Sequence, residues 1–192
     1  MWNKKSTYQD EHHQLIKQCK LGHQKAQMQI YKLYYKAMFN SSIRITGNQA
    51  DAEDIMQDSF LHAFKKLDQY KEDGSFGGWL KRIVINNSLD FVRQQKPSSD
   101  LTDNLEIVDK EEDAGFEERE YQLKDIKTAL DQLKEEYRII ISLYLFEGYD
   151  HEEISEILHI SYNLSRTRYS RAKKKLQEKI QSIQKERSIK WA

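Results

Sequence analysis

Apolar residues recur along this chain at helical spacing. Between residues 26 and 46, Ala26, Ile30, Leu33, Tyr34, Ala37, Met38 and Ile45 fall mostly three or four positions apart, the period of one helix face. Gly47-Asn48 breaks the pattern. It resumes over 51–67 with Ala52, Ile55, Met56, Phe60, Ala63, Phe64 and Leu67. A loop is predicted from Asp68 to Gly74. A further helix is predicted from Phe76 to Gln95, ending before Pro97, because a residue preceding proline is pushed out of helical conformation. Residues 96–116 carry no periodicity. Helices are then predicted over 117–133, 135–147, 151–158 and about 162–185, with Gly148 as a helix-stop glycine.

The predicted fold class is all-α, with two small helical domains at 8–95 and 117–185 joined by a flexible linker at 96–116. Composition agrees: 192 residues suffice for two small domains, and 1 Pro, 7 Gly and 32% charged residues favour helix. Cys19 is the single cysteine, which excludes an internal disulfide framework and a Cys-rich zinc site. The start Met1-Trp2-Asn3-Lys4 is not a secretory signal. The longest apolar stretch, Ile139 to Phe146, is interrupted by Ser142 and too short to cross a bilayer. These features predict a soluble cytoplasmic protein with no membrane insertion.

The formal net charge of zero conceals a segregation. Residues 100–120 hold ten acids against Lys110 and Arg119, about −8, so the linker should self-repel and extend. Residues 161–190 hold ten bases against Glu178 and Glu186, about +8, which suits a polyanion such as DNA.

The C-terminal pattern is that of a helix-turn-helix. Asp150 and Glu153 have capping-box spacing. Ile154, Ile157 and Leu158 form an apolar face, and Ser155 is small where two helices approach. His159-Ile160-Ser161 is a tight turn in which His159 takes a left-handed backbone, Ile160 points inward and Ser161 caps the next helix. That helix is expected to turn Leu164, Ala172 and Leu176 inward. Its other faces carry Arg166, Thr167, Arg168, Ser170 and Arg171, residue types that bond base edges and phosphates when such a helix lies in the major groove. The plainer alternative is a helical hairpin with a basic surface.

In the N-terminal half, Asp54, Gln57, Asp58 and Leu61 share one face of the 51–67 helix. That stripe can dock a basic helical partner, or its acids can complement the helix dipole; the pattern alone favours the dipole. On the 76–95 helix, Trp79, Leu80, Ile83 and Val84 face the core, while Arg82, Asn86 and Arg93 lie on another stripe. Tyr70, Lys71 and Phe76 are close in sequence. Aromatics interleaved with cations suit single-stranded DNA, and Asn86 can read the edge of an unstacked base. Equally, Phe76 can be a core residue and Arg82 merely solvated.

Several blocks together resemble one family. Ala52-Glu53-Asp54-Ile55-Met56-Gln57-Asp58-Ser59-Phe60 closely resembles a signature of RNA polymerase sigma factors of the extracytoplasmic-function group, in the sigma-70 family. So do Ser75-Phe76-Gly77-Gly78-Trp79-Leu80-Lys81-Arg82-Ile83, then Asn86 and Asp90-Phe91-Val92-Arg93, and, downstream, Glu152-Glu153-Ile154, Ile160-Ser161 and Ser170-Arg171-Ala172.

The resemblance implies a transcription initiation factor, not an enzyme, with no cofactor and no metal. Its implied partners are core RNA polymerase, promoter DNA and, as is common in this family, an anti-sigma factor. Asp54, Gln57, Asp58 and Phe60 would grip the coiled-coil clamp of the polymerase's largest subunit, which reverses the dipole reading. Tyr70, Lys71, Phe76, Arg82, Asn86 and Arg93 would hold and melt the minus-ten element, and Arg166, Thr167, Arg168, Ser170 and Arg171 would read the minus-thirty-five element. Residues 8–95 thus correspond to region 2 and 117–185 to region 4. Two departures stand out. Leu164-Ser165 replaces a common Thr-Val, and Ile85 stands where a basic residue often precedes Asn86, implying a weaker contact with the DNA backbone.

Three rival readings remain at this level. A helix-turn-helix regulator acting without core polymerase explains only the C-terminal half. A metal-dependent hydrolase using Asp51, Glu53, Asp54 and His62 has its acids on different helix faces. A helical adaptor would bind no DNA.

Overall fold

A computed structural model describes residues 5–71, 74–95 and 117–190. No strand occurs among them, and the all-α expectation holds. The linker expected at 96–116 lies outside the described residues. The chain divides into two compact units, Met1–Val92 and Arg93–Ala192.

The first unit contains α1 (Lys5–Lys20), α2 (Gln24–Thr46), α3 (Gln49–Lys65), a 3-10 turn at Leu67–Gln69, and all but the last three residues of α4 (Phe76–Gln95). Gly47 ends α2 in the left-handed conformation (φ 75°), donating its N–H to the Ile43 carbonyl at 2.8 Å; a side chain there would be strained. Asn48 then caps α3, accepting from the Asp51 N–H at 3.1 Å. The core gathers Ile16, Ile30, Met38, Met56, Leu80 and Val84, with Phe60, Tyr70 and Phe76 packed among them.

Buried serines let these helices approach closely. The hydroxyls of Ser42 on α2 and Ser88 on α4 are 3.0 Å apart, both residues being fully buried. Asn87 Nδ2 donates to Ser59 Oγ on α3 at 2.9 Å, and Ser59 donates in turn to the Ile55 carbonyl at 2.6 Å. Every buried polar atom in this relay has a partner, as burial demands. Ile85 is 1% exposed. Its departure from a basic residue is therefore a core choice, and the expected loss of a DNA-backbone contact is corrected.

The second unit contains α5 (Glu117–Asp131), α6 (Glu135–Ile141), α7 (His151–Leu158) and α8 (Tyr162–Lys190). The helix expected to run unbroken over 135–147 instead widens into a π turn at Ser142–Phe146. The Glu147 N–H bonds the Ser142 carbonyl at 3.1 Å, five residues back, and Ser142 Oγ donates to the Arg138 carbonyl at 2.7 Å. Such wide turns insert a residue into the helix ladder. Gly148 follows with φ 79°. The capping box at Asp150 and Glu153 is formed in both directions. Asp150→Ala should lower the stability of this unit by about 1 kcal/mol, seen as a lower midpoint in thermal unfolding.

His159 adopts the left-handed backbone (φ 54°), and the Ser161 hydroxyl accepts from the Leu164 N–H at 3.2 Å. Starting there, α8 buries Ser165 and Ala172, which are seven residues apart and share one face. Leu164 is 41% exposed, so the expectation that it points inward is wrong by one position. Ile160 is only half-buried. Ile154 is fully buried between the helices and contributes about 1.5–3 kcal/mol. At the far end, Arg187 of α8 forms an ion pair with the buried Asp125 of α5. Among the described residues, no helix is long and apolar enough to cross a membrane.

Candidate protein and nucleic-acid interfaces

The acidic stripe on α3 is a surface. Asp54, Gln57, Asp58 and Leu61 are all exposed, Leu61 by 58%. The same helix buries Ala52, Ile55, Met56, Phe60 and Ala63. Because α3 begins at Gln49, Asp54 and Asp58 lie in its second and third turns, whereas the dipole acts within the first turn. Asp51 is the acid that answers the dipole. The side chains of Asp54, Gln57 and Asp58 form no ion pair or hydrogen bond with another described residue.

Phe60 does not belong to that surface. It is 2% exposed and lies 4.9 Å from the Tyr31 ring. It can support the stripe from beneath, and its expected place on a gripping face is corrected.

A second surface lies on α4 and the loop before it. Lys71, Arg82, Asn86 and Arg93 are exposed. Asn87, turned inward to Ser59, fixes the rotation of α4 that leaves Asn86 outward. Tyr70 and Phe76, 8% and 4% exposed, present no free ring face. They form an aromatic cluster with Trp79, all centroids about 5.5 Å apart. Tyr70 also donates its hydroxyl to the Gly74 carbonyl at 2.6 Å. These two residues shape the loop from inside: for Phe76 the structure favours the core alternative that the sequence left open, and Tyr70 is likewise buried rather than offered for base stacking. Gly77 is required here: a Cβ would lie 2.8 Å from Tyr34 Cε1, and Tyr34 is itself held by His12 Nδ1 at 2.8 Å.

The third surface is the exposed face of α8. Asn163, Arg166, Thr167, Ser170 and Arg171 line one open depression. Thr167 donates its hydroxyl to the Asn163 carbonyl at 2.8 Å, and the Arg166 guanidinium lies 5.8 Å from the Tyr162 ring centre. Arg168 is turned away to Glu136 at 3.4 Å and serves packing more than the exposed face. Asn163 was missed in the sequence, although its spacing to Thr167 and Ser170 was the available signal.

Beneath this face, Tyr144, His151 and Tyr169 form an aromatic cluster. Tyr144 stacks on His151 at 4.7 Å and Tyr169 lies 4.3 Å from Tyr144. Burial pushes the Tyr169 hydroxyl above its ordinary pKa, with the Tyr144 hydroxyl adding to the shift. Burial also pushes the Cys19 thiol up to about 11, leaving it protonated and unreactive. No group of three or more potential metal-ligating side chains occurs among the described residues.

Comparison with known proteins adds an independent line. Residues 30–97 match the family model described as Sigma-70 region 2, and residues 123–176 match the one described as Sigma-70, region 4. The RNA polymerase sigma factor SigV of Bacillus subtilis is 34% identical over 128 residues, covering 66% of this chain and 74% of that protein. The ECF RNA polymerase sigma factor SigW of the same organism is 29% identical over 182 residues, covering 88% and 96%. Among solved structures, the sigma factor RpoE bound to the anti-sigma factor NepR from Bartonella quintana shares the fold. It has a TM-score of 0.55 and 24% identity, and the match covers 80% of this chain and 96% of that one.

Proposed function

Because this chain belongs to the sigma-70 family, in its extracytoplasmic-function group, we propose that its three exposed faces divide the work of promoter recognition. The protein is a transcription initiation factor that directs RNA polymerase to specific promoters. In this reading, residues 8–95 act as region 2 and residues 117–185 as region 4. The α3 stripe of Asp54, Gln57 and Asp58 binds core polymerase. The α4 face, with Lys71, Arg82, Asn86 and Arg93, holds the displaced strand of the minus-ten element, cations on its phosphates and Asn86 on a base edge. The α8 face reads the minus-thirty-five duplex.

The observation that carries this reading is the clustering of Asn163, Arg166, Thr167, Ser170 and Arg171 on one exposed face of α8. They sit behind a formed capping box and turn, the geometry that places a second helix in the major groove. Arginine spans the two acceptors of guanine, and threonine, serine and asparagine bond bases or phosphates. In the same reading the acidic segment 96–116 passes through a polymerase channel that normally holds nucleic acid, its negative charge standing in for RNA. An anti-sigma factor is a further partner, one that would act by covering these faces.

Arg171→Ala tests the assignment. With holoenzyme on promoter duplexes, it should weaken upstream binding by about 1–3 kcal/mol and relax preference at one base pair. A loss equal across all sequences, with a shallower salt dependence, would make Arg171 a phosphate contact only.

A further inference from the structure

Ser165 is fully buried in the contact between α7 and α8, beneath the exposed face of α8. A buried hydroxyl needs a partner, and this one has His151 at the first position of α7. His151 Nδ1 lies 3.0 Å from Ser165 Oγ, and either atom can donate. The imidazole is held in turn by Tyr144, stacked at 4.7 Å, and by Tyr169, edge-on at 5.5 Å.

Apolar packing resists a roll of one helix on another only through shape, whereas a hydrogen bond adds a directional restraint. Ser165 immediately precedes Arg166 and Thr167. Any roll of α8 about its axis therefore shifts those two side chains across the bases they meet.

We propose that the His151–Ser165 hydrogen bond is a positioning device that sets the rotation of α8, and so decides which bases its exposed face reads. This rests on the reading of α8 as the recognition helix. His151 and Ser165 touch no DNA themselves; they act through Arg166 and Thr167.

The test is a double-mutant cycle on the full chain in holoenzyme, with Ser165→Ala, His151→Phe and both together. Ser165→Ala removes only the hydroxyl, and His151→Phe keeps a ring against Tyr144. The probe is a promoter duplex whose upstream window has been randomised and then selected with the wild-type holoenzyme, compared with single-base-pair changes in that window. Circular dichroism sets a temperature at which every variant is folded. Each single variant should lose about tenfold in discrimination, as when one base contact is misplaced. The double variant should also lose about tenfold, no more than either single variant, because the bond that fixes the rotation is already gone in each.

Single variants that discriminate like wild type would overturn the proposal. So would a double variant whose loss is the sum of the two. If His151→Phe fails to fold, Ser165→Ala alone still decides, because unchanged discrimination sinks the idea. A wild-type holoenzyme that selects no sequence would instead refute the reading of α8 on which the proposal rests.

Discussion

Replacing Asp54, Gln57 and Asp58 together with alanine should weaken binding to core RNA polymerase by about 3–4 kcal/mol, roughly 150- to 700-fold. The three side chains are exposed and make no hydrogen bond or ion pair with another described residue. Their removal therefore costs the fold nothing comparable. Thermal unfolding of the variant should superimpose on that of wild type, and the whole effect should appear in a titration of core polymerase. The loss should shrink as salt rises, because wild-type binding through exposed carboxylates is itself screened. Leu61 sits at the end of the same stripe and is 58% exposed. Leu61→Ala should add a smaller loss that salt does not screen. Phe60→Ala would be a poor test of the same surface. That ring is buried among Tyr31 and Phe64, and its loss would cost about 3–5 kcal/mol of stability before any interface was reached.

Asn86→Ala should leave holoenzyme assembly intact and slow open-complex formation by roughly thirtyfold, on the order of 2 kcal/mol. A base leaves the stack only if its cost of a few kcal/mol is met elsewhere, and the amide of Asn86 offers both a donor and an acceptor to its exposed edge. The neighbouring Asn87 supplies the control. Its amide is spent on Ser59, so Asn87→Ala should lower thermal stability and disturb melting only through α4. Fluorescence of 2-aminopurine placed in the minus-ten strand separates the two, since it reports unstacking directly. Normal opening by Asn86→Ala would refute the role given to that face.

Much of this architecture was legible in the sequence. Apolar spacing located the helices, Gly47 and Gly148 marked two ends, and the capping box at Asp150 and Glu153 formed as spaced. The misses share a cause: side-chain identity does not set helix phase. Leu164 is the more apolar of its pair, yet Ser165 is buried. Ser161 caps the start of α8, and His151 gives the buried hydroxyl a partner. Likewise Tyr70 and Phe76 have the composition of a stacking surface, but three aromatics with centroids about 5.5 Å apart satisfy one another inside the fold. The π turn at Ser142–Phe146 left no trace in the apolar period, because a widened turn costs one hydrogen bond and keeps the residues helical. The exposed residues fared better. Asp54, Gln57, Asp58, Asn86, Arg166 and Arg171 all lie where their spacing put them, on faces opposite well-marked apolar ones.

The most direct test of the central claim is run-off transcription with purified core polymerase, this protein and a pool of promoter fragments. The account predicts transcripts from discrete start sites only when the protein is present, lost with the Asp54, Gln57 and Asp58 replacement. Specific binding to duplex DNA by the protein alone, with no transcript dependent on it, would contradict the account and favour a helix-turn-helix regulator that works without the polymerase.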